Sequence, residues 1–341
     1  MKKLKRNSIF LALILLTTMF LIACSQPNDE KGNEAHKKET IVFADPGWDS
    51  IRFHNSVAST IIKEGFGYGI EVIPGTTPAT FLGFRQGEID VYMEIWQDNI
   101  IEQYTEAIEN DEIVELSTNF DDNSQGLYVP TYVIKGDKER GIEAVAPDLK
   151  TVKDLEKYPE VFKDPEDKVK GRIYGAPSSW AVSEILNTKA KSYGLDEKYN
   201  VFDPGSDTSL ATALASAIEK GEPWVGYYWD PTWVTGKFDL TLLEDDSFDE
   251  EKWENGYMCE FKPVDVTVCA NSELLKTAPD VVEFLKNYTT SSKLTAEALA
   301  YMQENDVDAD AAAKWFLKEH EDVWTNWVSK EVAQKVKASI Q

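Results

Sequence analysis

The feature that most constrains this chain is a duplication of strand, loop and helix built around tryptophan. The apolar stretch Ile41-Val42-Phe43-Ala44 runs into Asp45-Pro46-Gly47-Trp48-Asp49-Ser50 and then a helical pattern through Lys63. The same grammar returns as Arg172-Ile173-Tyr174-Gly175-Ala176, Pro177-Ser178-Ser179-Trp180 and a helical pattern through Tyr193. Downstream of Trp48 come Tyr68-Gly69, the turn Pro74-Gly75-Thr76, a helical stretch and QGEIDVYMEIW, ending at Trp96. Downstream of Trp180 come Tyr193-Gly194, the turn Pro204-Gly205-Ser206, a helical stretch and KGEPWVGYYW, ending at Trp229. The two Trp intervals are 48 and 49 residues. Repeated units of this kind build α/β folds, and open α/β sheets bind ligands beyond the carboxyl ends of their strands. Two facing lobes would therefore bring Trp48, Trp96, Trp180 and Trp229 into one cleft. Any one of them can be read as a core aromatic that follows a strand, but four at paired positions beside Gly, Pro and Ser are poorly explained that way. Of the 10 Trp, Trp224 lies inside a strand pattern, and Trp253, Trp315, Trp324 and Trp327 lack the loop context; these read as packing or surface residues, while Trp233 fits either description.

A cleft of Trp faces suits a cation that cannot donate hydrogen bonds, as in aromatic cages for quaternary ammonium groups. Each face contributes about 0.5 kcal/mol when exposed and about 2 when desolvated. Three or four faces give roughly 6 to 8 kcal/mol before binding costs, slightly short of the roughly 8.2 that micromolar affinity needs. Other contacts are therefore required. The loops at Trp48-Asp49-Ser50 and Trp180-Ala181-Val182 each open a helix, whose free N–H groups suit a carboxylate. Glu94, Asp98 and Asp230 flank the Trp positions and would attract a cation, although in so acidic a chain solvent exposure is the simpler expectation for them.

The composition narrows the partners. With 35 Lys and Arg against 60 Asp and Glu, the 341 residues carry a formal net charge of −25, which disfavours nucleic acid. A hydrophobic fraction of 42% is enough for a globular core. Lys2, Lys3, Lys5 and Arg6 precede an apolar run from Ile9 to Ala23, too short to span a bilayer comfortably, which reads as a signal peptide over 1–23. It ends Leu21-Ile22-Ala23-Cys24, similar to the lipobox of bacterial lipoproteins, with Cys24 as the lipid attachment site at the cell membrane's extracytoplasmic face. Removing it takes away four basic residues and no acidic one, moving the net charge from −25 to −29. Residues 24–39 read as a flexible tether. Outside the cytoplasm disulfides are permitted, and Cys259 and Cys269 can pair across a hairpin turning at Lys262-Pro263; two free buried thiols are the alternative. The sequence has no GxSxG, no HExxH and only 3 His, so neither an enzyme nor a metal site is indicated, and no cofactor is implied.

The segments GWDSIRFHN, GEIDVYMEIW, YVPTYVI, APSSW and GEPWVGYYWDPTW resemble the substrate-binding proteins of glycine betaine/choline-type osmolyte ABC transporters, from Thr40 to the closing WTNWV. The resemblance implies an α/β periplasmic-binding-protein fold of type II: two lobes, two crossovers and a ligand cleft that closes by hinge motion. It implies cage roles for Trp96, Trp180 and Trp229, carboxylate binding by the N–H groups of Ala181 and Val182, and ABC permease subunits as partners. Trp48 joins them through the duplication. Some members of the family carry a His four residues beyond the first-lobe cage Trp; here Ile100 stands there, and His54 reads as structural, which leaves open whether the ligand is a betaine or carboxylate-free choline. The lobes are expected at 40–129 with 258–341, and at 130–257, with hinges near Tyr128 to Tyr132 and Gly256 to Ala270. The function expected is capture of glycine betaine, proline betaine, carnitine or choline for import; the alternative is a secreted carbohydrate-binding protein or glycoside hydrolase that uses Trp platforms.

Overall fold

The computed structural model describes residues 40–341, so the expected signal peptide, Cys24 and the tether lie outside the described residues. Ten strands form two five-stranded mixed sheets. The first contains β1 (Thr40–Asp45), β2 (Gly69–Pro74), β3 (Val91–Trp96), β4 (Ile113–Phe120) and β10 (Val266–Asn271), in the order β2-β1-β3-β10-β4. The second contains β5 (Ser124–Pro130), β6 (Gly171–Tyr174), β7 (Tyr199–Phe202), β8 (Gly226–Asp230) and β9 (Leu240–Leu242), in the order β7-β6-β8-β5-β9. In each sheet three neighbouring strands run parallel (β2, β1, β3 and β7, β6, β8) and the other two pair antiparallel. The duplication is therefore one topology used twice, with the fourth place in each sheet filled by the strand that arrives from the opposite lobe.

Local chemistry explains the repeated units. All six residues of β3, VYMEIW, are buried, as expected for a central strand. Thr76 and Ser206, at the matching turns, cap the helices Thr77–Gln86 and Asp207–Lys220 by accepting the N–H of Ala79 and Ser209. Gly87 and Gly221 end these helices in the left-handed conformation. After β10 the chain adds helices including Ser292–Asn305 and Ala309–Glu319, which pack with the helix Asp49–Thr60 of the first lobe.

Two expectations are corrected. A boundary at 129/130 leaves β5 in the first lobe, with a hinge at Tyr128 to Tyr132. Instead β5 pairs with β8 and β9, so the crossing lies at residues 121–123. The return falls between β9 and β10, where the Asn123 side chain donates to the Val264 carbonyl at 2.6 Å and accepts its N–H at 3.2 Å, tying the two crossings together. The hairpin proposed for Cys259 and Cys269 is absent, and both are free buried thiols. β10 already has β3 on one side and β4 on the other, leaving no edge for a hairpin partner. Cys259 instead sits where its carbonyl accepts from Lys189 of the second lobe.

The remaining tryptophans sort as packing residues. Trp324 and Trp327 are buried, the former donating to the Leu317 carbonyl; Trp315 stacks on Tyr301, Trp253 packs edge-on against Phe261, and Trp224 stacks on Tyr174.

Candidate ligand-binding site

The loop after β1 presents Trp48, and Gly47 before it has φ +104°, a conformation that a side chain would strain. Trp96 closes β3, Trp180 precedes the helix Val182–Ser192, and Trp229 lies in β8. All four line one cavity, with about 490 Å³ of free space counting its mouth. Trp48 meets Trp180 edge to face, with centroids 5.7 Å apart at 85°, and Trp180 meets Trp229 likewise at 5.1 Å and 87°. Tyr227 stacks near Trp229, and behind these rings Tyr228 stacks near Trp229 and Phe120 packs edge-on against Trp96. Rings braced at right angles present faces in several directions, the arrangement that surrounds a rounded cation.

The residue that organises this wall is Glu94. Its Oε1 accepts three hydrogen bonds at 2.9 Å, from the indole Nε1 of Trp48, the indole Nε1 of Trp96 and the Ser50 hydroxyl, and so fixes two rings in rotation. Solvent exposure, the simpler expectation for this acid, is overturned: Glu94 is fully buried. Burial pushes its carboxyl up to about 7, against the opposing pull of those three donors. Asp98 does not line the cavity and pairs with Lys262 at 3.3 Å, while Asp230 accepts the Thr235 hydroxyl.

The expected polar residues divide. Ala181 and Val182 line the cavity at the first turn of their helix, where backbone N–H groups lack intrahelical acceptors. Asp49 and Ser50 do not line it. Ser50 stands behind, donating to Glu94, and the Asp49 N–H donates across the cleft to Asp207 Oδ2 at 3.1 Å. Ile100 lines the cavity; His54 is buried elsewhere, bonded to the Tyr288 hydroxyl at 2.9 Å and Thr295 Oγ1 at 3.3 Å, with burial pushing it down to about 3. The sequence reading missed Thr77, Tyr92, Ile95, Asn99 and Tyr227, which also line the cavity. Part of that was available: Tyr92, Glu94 and Trp96 alternate along β3 and so share a face.

Two lobes of matching topology, crossed twice by the chain and carrying an aromatic cavity between their sheets, define a two-lobed protein of the periplasmic-binding-protein fold. The chain belongs to the family of substrate-binding domains of ABC-type glycine betaine transport systems, whose model matches residues 39–319. It is 21% identical over 297 residues to the trimethylamine N-oxide-binding protein of Pelagibacter ubique, covering 86% of this chain and 92% of that one. It is 24% identical over 179 residues to a glycine betaine/carnitine transport binding protein of Listeria monocytogenes, covering 51% of this chain and 56% of that one. Among solved structures it resembles an ABC-transporter choline-binding protein in complex with choline (TM-score 0.71, 20% identity, 89% of this chain and 98% of that one). It also resembles a lactococcal glycine betaine-binding protein in its closed, liganded conformation (TM-score 0.68, 18% identity, 86% and 100%). Among the described residues no helix is long and apolar enough to cross a membrane, and no group of His, Cys, Asp or Glu could hold a metal ion.

Proposed function

We propose that this protein captures a small quaternary ammonium osmolyte, such as glycine betaine, proline betaine, carnitine or choline, and hands it to an ABC permease. In this reading Cys24 carries a lipid that holds the protein at the outer face of the cell membrane. The observation that carries the ligand class is the convergence of Trp48, Trp96, Trp180 and Trp229 from both lobes on one cavity. A trimethylammonium group has no N–H to donate and is held by ring faces, each worth about 2 kcal/mol once water is excluded. Closing the lobes around it lowers the local dielectric and strengthens every such contact. The names of the relatives add trimethylamine N-oxide, whose methyl-bearing head is the same shape.

The test is calorimetric titration with these ligands and a panel of sugars. Saturable binding of at least one methylated amine is expected; a response to a sugar alone would replace the reading with a carbohydrate-binding one. Trp180→Ala and Trp229→Ala should each weaken binding by about 2 kcal/mol or more, roughly thirtyfold, while the circular dichroism spectrum is kept. Unchanged affinity in both would place the ligand elsewhere.

A further inference from the structure

The first-lobe wall of the cavity carries three buried oxygens without a hydrogen-bond partner: Thr77 Oγ1, Glu94 Oε2 and Asn99 Oδ1. Buried oxygens of this kind are costly unless something donates to them. Asn99 Oδ1 and an ionised Glu94 Oε2 accept only, and the Thr77 hydroxyl accepts as well as donates. Three donors converge on the other oxygen of Glu94, an arrangement that favours the carboxylate. Among the described residues lining the cavity, none is Lys, Arg or His. The polar side of the first-lobe wall is therefore a set of acceptors around a carboxyl that burial holds up to about 7 and that is anionic above that pH.

We propose that Glu94 makes the cavity selective for a quaternary ammonium ligand of net positive charge bearing a hydroxyl donor, the choline class, over the zwitterionic betaines. This rests on the quaternary ammonium reading above and sharpens it. The methyl groups occupy the ring faces, the ligand hydroxyl donates to Glu94 Oε2, and the unit charges of ligand and carboxylate balance within the cavity. A betaine brings no donor for Oε2 and places a second carboxylate near the first. The N–H groups of Ala181 and Val182 are left to offset that repulsion. Such a site discriminates as much by rejecting the anion as by attracting the cation.

Proton linkage gives an independent reading of the same group. A bound cation holds Glu94 ionised, so the free protein must first release a proton where its carboxyl, pushed up to about 7 by burial, is neutral. The titratable groups that interact with it are Tyr92 on the same strand, Asp207 across the cleft and Tyr288, and beyond these Asp45, Asp49 and Arg52 form a charged group of their own that reaches Asp207. Of these Asp207 is also pushed up to about 7, so Asp207→Asn is the control.

The experiment is titration calorimetry of choline and glycine betaine against the wild-type protein, Glu94→Gln, Glu94→Asp and Asp207→Asn at pH 6 and pH 8. The wild-type protein should bind choline about tenfold or more tighter than glycine betaine at pH 8, and its choline affinity should fall about tenfold at pH 6. Glu94→Gln should lose about tenfold or more for choline, lose the pH dependence and hold glycine betaine within about threefold. Glu94→Asp should keep the preference, and Asp207→Asn the pH dependence. Tighter binding of glycine betaine by the wild-type protein, or equal loss of both ligands in Glu94→Gln, would overturn the inference and leave the quaternary ammonium reading standing. Binding of no methylated amine would remove both. Should Glu94→Gln not fold, pH-independent choline binding by the wild-type protein is sufficient to overturn the proposal.

Discussion

At the scale of single residues, Glu94 is a stability cost maintained at the site. Its ordinary value is 4.5 and its folded value about 7, so between those pH values the folded protein retains a proton that the unfolded chain has lost. Folding stability contributed by this group therefore falls as pH rises from about 4.5 to about 7 and stays low above it. A difference of that size corresponds to about 3 kcal/mol and comes from burial of the carboxyl, which outweighs its three hydrogen bonds. Glu94→Gln keeps an acceptor for both indoles and removes the buried charge. In thermal denaturation without ligand it should be more stable than the wild-type protein at pH 8 by about 1 to 3 kcal/mol, with little difference at pH 5. A lower melting temperature at pH 8 would mean that the three charge-assisted hydrogen bonds outweigh the desolvation of the carboxylate. His54 acts with the opposite sign: lowered from 6.5 to about 3, it contributes stability above about 6.5 that is lost as the pH falls.

At the scale of elements, what was legible in the sequence was whatever depended on short-range pattern. β1, β3, β6 and β8, with their Trp-bearing loops and capped helices, follow from alternation, turn chemistry and spacing, and these place Trp48, Trp96, Trp180 and Trp229. β5 and β10 were not legible in the same way, because each takes its partners from the other half of the chain and no local signal names them. The Cys259–Cys269 hairpin failed for that reason, as did the first hinge. Glu94 was visible as an acid, but its burial depends on Trp48 and Ser50 arriving from 44 to 46 residues away. The second sheet also shows how tightly one such element is set. A methyl group added at Gly226, the first residue of β8, would lie 2.6 Å from both the carbonyl oxygen and the Cβ of Tyr174 and 2.7 Å from Trp224. Gly226→Ala should therefore destabilise the protein by about 1 to 3 kcal/mol, read as a lower melting temperature. Because β8 ends beside Trp229, ligand affinity should fall with it; an unchanged melting temperature would show that β6 and β8 can part without cost.

At the scale of the whole molecule, the lobes meet through the packing of the helices Trp233–Lys237 and Ser292–Asn305 and, nearer the cavity, through contacts that a departing ligand must break. Trp48 packs on Trp180, the Thr77 N–H donates to the Ser179 carbonyl at 2.9 Å, and the Asp49 N–H donates to Asp207 Oδ2 at 3.1 Å. The tied crossings at Asn123 and Val264 place the pivot on one side of this cleft. Asp207 does not line the cavity, so its contribution to binding runs through closure alone. A hydrogen bond to a charged acceptor is worth about 1.5 to 3 kcal/mol net, and the raised carboxyl of Asp207, held up mainly by burial, reduces that toward the lower figure. Asp207→Ala should consequently speed ligand dissociation about tenfold while the association rate changes little, since encounter occurs on the open form before the latch is made. Asp207→Asn, which keeps the acceptor, should recover most of the loss. Stopped-flow tryptophan fluorescence measures both rates. A slower association with unchanged dissociation would mean that Asp207 shapes the open form, and that the lobes are held shut by the rings and the Thr77–Ser179 bond.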